Sequence, residues 1–431
     1  MTDLAHRRVD LRARQWPGLQ APPTGPRALV SARIARGLFR AAVGRLAVTV
    51  HVGDHTWGRG GPVAVVHRPE EFFARLGRDQ LIGFGEAYLT GAWDAEDLGG
   101  FLTVLAAEMP RLVPPGLQRL RALVVRKPPA EEVSSTEQSR DNIAHHYDLS
   151  NELFRLFLDP TLSYSSALFP SPVVTHGAYA EAKAPTDVSV VDLEEAQGRK
   201  IERMLDQAGV GAHTRVLEIG TGWGELAIRA ARRGATVVSV TLSSEQKALA
   251  DERIAAAGYA DAVDVQLKDY RQASGTYDAV LSVEMVEAVG HEYWQTYFEK
   301  VDSLLAPGGK VAIQAITMPH DRMEATKYTY TWINKYIFPG GFLPSVRAIE
   351  EITGAHTALR VTDRLSFGQH YAETLRLWDE AFLASRDRVR ALGFDEIFER
   401  MWHFYLQYSR GGFASGYIDV NQITLIKEPL S

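Results

Sequence analysis

The text Val216-Leu217-Glu218-Ile219-Gly220-Thr221-Gly222-Trp223-Gly224 constrains the fold more than any other stretch of this chain. An apolar run enters a glycine-rich turn and continues into helical periodicity, which describes a strand, a tight loop and a helix. The text around it repeats that alternation. Strands are expected over 215–219, 236–241, 263–267, 279–283 and 310–316, with helices over 224–233 and 244–256 and another at about 191–208. Such regular β/α alternation predicts a parallel, doubly wound sheet with helices on both faces. Ligands of such sheets bind beyond the carboxyl ends of the strands, where glycine lets the backbone approach closely.

The loop leaves three readings open: a dinucleotide fingerprint, an S-adenosylmethionine loop, and an α/β domain without catalysis. Leu226 or Ala227 stands where a dinucleotide fingerprint has its third glycine. Glu218, just before the loop, would repel a pyrophosphate and suits a cofactor that carries an ammonium and a sulfonium.

Composition narrows the chemistry. The 431 residues include no cysteine, which excludes a disulfide framework, a thiolate nucleophile, an iron–sulfur cluster and a cysteine zinc site. A net charge of −6 argues against nucleic acid as partner, since neutralising phosphates needs a basic surface. The charge is unevenly spread, however: residues 1–50 hold nine arginines against Asp3 and Asp10, a balance of +7 that leaves −13 for the rest. An acidic body with a basic front end suggests an anionic surface as partner. No run of 18 apolar residues exists to cross a bilayer, and the front end does not read as a secretory signal. A cytoplasmic protein that touches a membrane is expected.

Prolines 17, 22, 23 and 26 make residues 1–26 read as a flexible arm. From Arg27 the text places Leu29, Ile34, Leu38 and Ala42 on one helical stripe with Arg33, Arg36 and Arg40 beside it, a basic amphipathic helix. That helix fits either a membrane surface or a place on its own domain with arginines in solvent. Alternating residues cut by glycines over 46–68 predict short strands, and helical text follows through 69–125. Residues 111–127 carry five basic residues and no acidic one. KPPAEEVSSTEQSRD at 127–141 has linker composition, so the chain divides into an N-terminal domain over 1–130, a linker over 131–140 and a second domain over 141–431.

At the level of whole motifs the chain resembles the cyclopropane-fatty-acyl-phospholipid synthase family of S-adenosylmethionine-dependent lipid methyltransferases, including its actinobacterial branch that makes methyl-branched or methylene fatty acids. The matching pieces are HYDLSNELFRLFLDPTLSYSSALF, VLEIGTGWGELAI, VTLSSEQKALA, DYR at 269–271, SVEMVEAVGHEYWQTYF, TYTWINKYIFPGGFLPS and FGQHYAETLRLW, in family order over about 145–425. GEAYLTGAWDAEDLGGFL near 85–102 is similar to the helical N-terminal domain of full-length members. The resemblance implies an α/β, Rossmann-like class I methyltransferase domain with an inserted helical lid, preceded by a smaller, mainly helical domain that binds lipid. It places the cofactor pocket at Tyr164, Ser165, Gly220, Thr241, Gln246, Asp269 and Tyr270, with Glu218 and Gly222 completing the glycine loop. Thr241 and Gln246 would offer neutral hydrogen bonds, Asp269 would accept from an adenine amine, and Tyr270 would stack on the base.

The resemblance also implies the reaction. The substrate is a cis double bond within a phospholipid acyl chain, and methylation leaves a carbocation that aromatic faces stabilise and a dry tunnel protects. Tyr164 and Tyr371, then Tyr336, are the candidate rings. In ring-forming members a bound bicarbonate takes the departing proton, held by a Cys, a Glu, a His, an Ile backbone group and a Tyr. Those positions read Ser166, Glu287, Gln314, Ile316 and Tyr371 here. Bicarbonate remains possible as a ligand, but neutral Gln314 lacks the charge of a protonated His, so Glu287 or Glu284 becomes an alternative base. With no base at the new methyl, the cation can shift a hydride and lose its proton elsewhere. A methylene branch is therefore expected, for a separate reductase to saturate, ahead of a cyclopropane or the methylation of a small molecule. His145, His146 and His291 form no metal-ligand set. Arg33, Arg36 and Arg40 are expected to contact phospholipid headgroups, in a homo-oligomer on the inner face of the membrane.

Overall fold

The computed structural model describes residues 16, 18–112 and 150–428. They form two compact units. The first takes in the described residues up to 112 together with Gly393–Gly411, and the second takes in 150–392 and the chain from Gly412 onward. His145, His146, the expected linker and all of the basic stretch 111–127 beyond Leu112 lie outside the described residues.

The first unit runs α1 (Pro26–Val43), β1 (Thr49–Val52), β2 (His55–Gly58), β3 (Val63–Val66), α2 (Pro69–Leu89), β4 (Trp93–Ala95) and α3 (Leu98–Leu112). Its four short strands form one sheet in the order β2-β1-β3-β4. The core is aromatic: Phe72 meets Phe73 at 4.9 Å between ring centroids and Phe84 meets Trp93 at 4.5 Å. Arg75 is wholly buried and bonds Glu71 at 2.9 Å and the carbonyls of Gly18 and Leu19, with buried Glu86 at 3.7 Å. The expected flexible arm therefore needs correcting over its described part. Trp16 and Leu19 are buried, and the Trp16 indole donates to Asp395 at 3.0 Å. On α1 Leu29, Ile34 and Leu38 of the expected stripe face solvent, so of the two readings of this helix the one that packs the stripe on its own domain does not hold.

The second unit continues with α4 (Asn151–Phe154), β5 (Val173–His176), β6 (Tyr179–Ala182), α5 (Leu193–Gln207), β7 (Arg215–Ile219), α6 (Glu225–Arg232), β8 (Thr236–Thr241), α7 (Ser244–Ala256), β9 (Val263–Leu267), β10 (Tyr277–Val283), α8 (Trp294–Leu304) and β11 (Leu305–Thr317). Two short helices, α9 (His320–Thr326) and α10 (Trp332–Tyr336), precede α11 (Val346–His356), β12 (Leu359–Ser366), α12 (Gly368–Ala384), α13 (Arg386–Ala391), α14 (Glu396–Ala414), which starts in the first unit, and β13 (Asp419–Lys427). One nine-stranded sheet has the order β5-β6-β12-β13-β11-β10-β7-β8-β9. From β11 to β9 it is parallel, as expected. The other half is mixed, because β13 runs antiparallel to both β11 and β12, and the hairpin β5-β6 adds a further antiparallel pair. Strand side chains alternate between two apolar layers. Leu217, Val280 and Ile313 pack with Trp294, Phe298 and Ile349 on one face, while Val216, Leu281 and Ala312 pack with Ile201, Met204 and Leu226 on the other.

Replacing Arg75 by Ala strips a fully buried carboxylate, Glu86, of a cationic neighbour. Chemical denaturation is expected to show a loss of about 3–5 kcal/mol, most of it recovered in Arg75→Met/Glu86→Leu. A loss below about 1 kcal/mol would show that the buried charges do not depend on each other.

Candidate active site

The parallel half of the sheet starts at β7, steps outward through β8 and β9, and returns to the other side of β7 with β10. Loops that leave β7 and β10 in opposite directions open a crevice at their carboxyl ends. The glycine loop lies on one side of this switch point and Glu284 on the other. Gly220 (φ +94°) passes so close to Met285 that a Cβ would sit 2.6 Å from its Cγ. Gly222 (φ +53°) has no atom within 4 Å of where its Cβ would be, so its backbone is open to a ligand.

Neutral donors gather beside this loop. Thr241 ends β8 and donates to Gln246 Oε1 at 2.9 Å, and the Ser243 hydroxyl caps α7 by accepting from Gln246 N at 3.1 Å. Asp269 follows β9, buried, with both carboxylate oxygens engaged by Arg271 at 2.9 and 2.6 Å. Tyr270 lies edge-on to Tyr297 at 5.3 Å, and burial pushes its hydroxyl up to about 12. Glu218 lies behind the loop instead of lining it: only 3% exposed, it accepts from Ser239 Oγ at 2.5 Å, and Ser239 pairs with Thr221 at 2.6 Å. Burial pushes the Glu218 carboxyl up to about 8. The open glycine cradle and this neutral donor set fit the polar ends of S-adenosylmethionine.

The loop after α4 brings Tyr164, Ser165 and Ser166 to the same edge. The Ser166 amide donates to Glu284 Oε1 at 3.0 Å, Gln314 Nε2 donates to the same oxygen at 2.8 Å, and the Tyr371 hydroxyl donates to Glu284 Oε2 at 2.7 Å. Three of the five positions expected to hold an anion thus converge on a carboxylate of the chain itself. Glu284 takes a left-handed backbone (φ +51°) to reach them. The remaining two positions pair with each other, Ile316 N donating to Glu287 Oε1. Glu287 Oε2 is buried without a hydrogen-bond partner among the described residues.

The two acids are unequal. Burial raises both, but three donors and the Lys200 ammonium pull Glu284 back down. Glu287 is pushed up to about 8 by burial and by the Glu284 charge. Hydrogen bonds to both oxygens of Glu284 favour its ionised form over that of Glu287, whose Oε2 has no such donor among the described residues.

Sequence reasoning missed the residues that aim this pair. Arg203 donates to Gln422 Oε1 at 2.9 Å, and Gln422 Nε2 donates to Gln314 Oε1 at 3.1 Å, which turns the Gln314 amide nitrogen toward Glu284. Lys200 on α5 is 1% exposed and donates to Ser165 Oγ at 2.6 Å. No carboxylate lies within ion-pair distance of it among the described residues, and burial lowers the ammonium to about 8 while Glu284 and Asp159 pull it back up. Beside these groups stands a wall of rings: Tyr164 stacks on Trp378 at 5.3 Å, Tyr371 meets Trp378 edge-on at 6.2 Å and stacks on Phe413 at 4.4 Å. Tyr336 contacts Trp332 at 5.2 Å in α10.

An S-adenosylmethionine crevice at a β7/β10 switch point, with paired acids and an aromatic wall, defines a Rossmann-like class I methyltransferase. Residues 134–423 match the family model of mycolic acid cyclopropane synthetase. The chain is 51% identical over 418 residues to the tuberculostearic acid methyltransferase UfaA1 of Mycobacterium tuberculosis, covering 96% of each chain. It is 32% identical over 365 residues to the cyclopropane-fatty-acyl-phospholipid synthase of Escherichia coli, covering 84% of this chain and 87% of that one. The structure of mycolic acid cyclopropane synthase CmaA1 complexed with SAH and CTAB aligns with a TM-score of 0.58 at 32% identity, over 67% of this chain and 98% of that chain. The structure of the cyclopropane synthase MmaA2 from Mycobacterium tuberculosis aligns with the same TM-score at 33% identity and the same coverage. The chain belongs to the mycolic acid cyclopropane synthetase family and is an S-adenosylmethionine-dependent lipid methyltransferase.

Glu218 predicts a pH dependence of stability. Its folded pKa near 8 exceeds the unfolded value near 4.5, so between the two the folded state keeps a proton that the unfolded chain has released. Stability from this group therefore falls from about pH 5 to about pH 8. Glu218→Gln, which is always neutral, should gain on the parent protein across that window by about 1–3 kcal/mol in urea unfolding. A constant difference between the two proteins would contradict the buried, proton-holding carboxyl.

Proposed function

We propose that the protein methylates the cis double bond of an unsaturated phospholipid acyl chain and releases a methylene-branched chain, with Glu284 as the base. The observation that carries this is the convergence of Ser166, Gln314 and Tyr371 on the Glu284 carboxylate. S-adenosylmethionine supplies an electrophilic methyl group to the alkene π electrons and leaves as S-adenosylhomocysteine. One alkene carbon gains the methyl, and its neighbour becomes the cation. A hydride then moves from the methyl-bearing carbon to that neighbour, which transfers the positive charge to the methyl-bearing carbon. A methyl proton passes to Glu284, and its C–H pair forms the C=C bond of the methylene branch.

The chain's own residues favour this order. The faces of Tyr164, Tyr371 and Trp378 stabilise and shield the cation. A carboxylate that already accepts three hydrogen bonds is a weakened base, so proton removal is delayed and the hydride shift precedes it. The Lys200 ammonium favours the ionised form of Glu284 against the effect of burial, and Glu287, pushed up to about 8, is mainly protonated at neutral pH. Because the lipid lies in a bilayer, the protein works as a peripheral protein on the cytoplasmic face of the membrane. Reduction of the methylene to a methyl branch falls to a separate reductase.

Three measurements test this reading. With phospholipid deuterated at both alkene carbons, the hydride shift places both deuteriums on one carbon of a methylene product; a cyclopropane with one deuterium on each carbon would overturn it. Glu284→Gln should lower kcat roughly 10²–10⁴-fold, and Glu284→Gly should recover activity when bicarbonate is added. Full activity of Glu284→Gln would remove Glu284 as the base. Lys200→Met raises the Glu284 pKa, so the rising limb of the kcat–pH profile should move up by about one unit. A uniform loss at every pH would mean that Lys200 only supports the fold.

A further inference from the structure

We infer that α1 lies in the plane of an anionic bilayer with Leu29, Val30, Ile34 and Leu38 inserted among the lipids. This rests on the proposed reading only in that it takes the substrate to be bilayer lipid. In a helix that belongs wholly to a globular domain, the large apolar side chains pack inward and the small or polar ones face water. In α1 four large apolar side chains face outward instead. Leu29, Val30, Ile34 and Leu38 are 66%, 58%, 59% and 58% exposed, whereas Ala35 and Val43 are the buried residues. On the inward side Phe39 packs against Phe72 at 5.2 Å, and around Ser31 the helix lies so close to α2 that a Cβ on Gly77 would stand 2.7 Å from the Ser31 carbonyl carbon. The inward face is satisfied by these contacts, and the outward one is not a packing error that a shift of the helix would hide.

The charge on this face selects the occupant. The helix has four arginines, Arg27, Arg33, Arg36 and Arg40, and neither Asp nor Glu. Arg36 lies over the Phe73 ring at 5.7 Å, and all four are exposed. Arginines dispersed among large apolar side chains suit an interface where acyl chains take the apolar groups and phosphates take the guanidinium groups. A second copy meeting this face about a two-fold axis would set arginine against arginine. No described helix is long and apolar enough to cross a membrane, so α1 is read as lying on the bilayer and not through it.

Sedimentation of the full-length protein with vesicles tests the inference, using phosphatidylcholine alone or phosphatidylcholine with phosphatidylglycerol at low and high salt. The parent protein should partition to the mixed vesicles and keep part of that binding at high salt, because insertion is not screened. Leu29→Ser/Ile34→Ser/Leu38→Ser should lose at least tenfold in partitioning and all of the salt-resistant part, with S-adenosylmethionine affinity unchanged. Arg33→Ala/Arg40→Ala should lose the preference for phosphatidylglycerol. Unchanged partitioning of the apolar triple variant overturns the inference. So does a dimer, seen by analytical ultracentrifugation without lipid, that the triple variant abolishes. Methyl transfer to detergent-dispersed oleoyl phospholipid by the parent protein is measured alongside: its absence would count against the proposed function and leave the vesicle result to decide insertion by itself.

Discussion

A carboxylate withdrawn from water has to be met by donors, and the architecture of this active site follows from how Glu284 meets that requirement. Each of its donors comes from a different element: an amide of the loop after α4, a side chain of β11 and a hydroxyl of α12. Holding the carboxylate there costs a left-handed backbone at a non-glycine residue, about 1–2 kcal/mol. The strain falls where β10 ends beside the glycine loop, and the same turn carries Met285 against Gly220. The reaction end and the cofactor end of the crevice are thus built from one turn of chain. A change at Glu284 displaces the wall of the glycine cradle as well as the base.

Much of the parallel half of the sheet was legible because its signals are local. The text of β7, β8, β9 and α7 fixes both period and boundary, and the observed limits agree with those expected. The mixed half was less legible. β12 and β13 are separated by α12, α13 and α14, and nothing in either strand's text states that the second returns antiparallel to the first. The hairpin β5-β6 sits in Pro-rich, polar text because it is an edge that needs little apolar surface, and all four β5 residues are exposed.

The direction of α1 shows a different limit. Periodicity identifies a stripe but not which side of it meets the domain, and that choice was made by small residues packing near Gly77 on α2. Lys200 was hidden for a similar reason. Its helix, LEEAQGRKIERMLDQ, reads as charged surface text, and only the fold shows that one ammonium among those charges is turned inward beneath Ser165. Ser166, Gln314 and Tyr371 were nameable through the family resemblance. Their convergence on Glu284, a residue outside that set of five, was a property of three-dimensional structure alone.

That convergence gives a physical account of the exchange of Cys and His for Ser166 and Gln314. A diffusible anion must be captured, and capture rewards a cationic donor that repays the desolvation of the incoming charge. A carboxylate carried by the chain is delivered by folding and needs no capture. The donor then has only to orient it, which a neutral amide fixed by Gln422 and Arg203 does without adding charge next to a carbocation. The positive charge that favours the ionised carboxylate is moved back to Lys200, behind Ser165. A protonated His in place of Gln314 would oppose the cation at closer range while making the carboxylate a still weaker base. Gln314 and Glu284 are therefore complementary under the proposed mechanism: with Glu284 as an internal base, the neutral residue is the one that permits both steps.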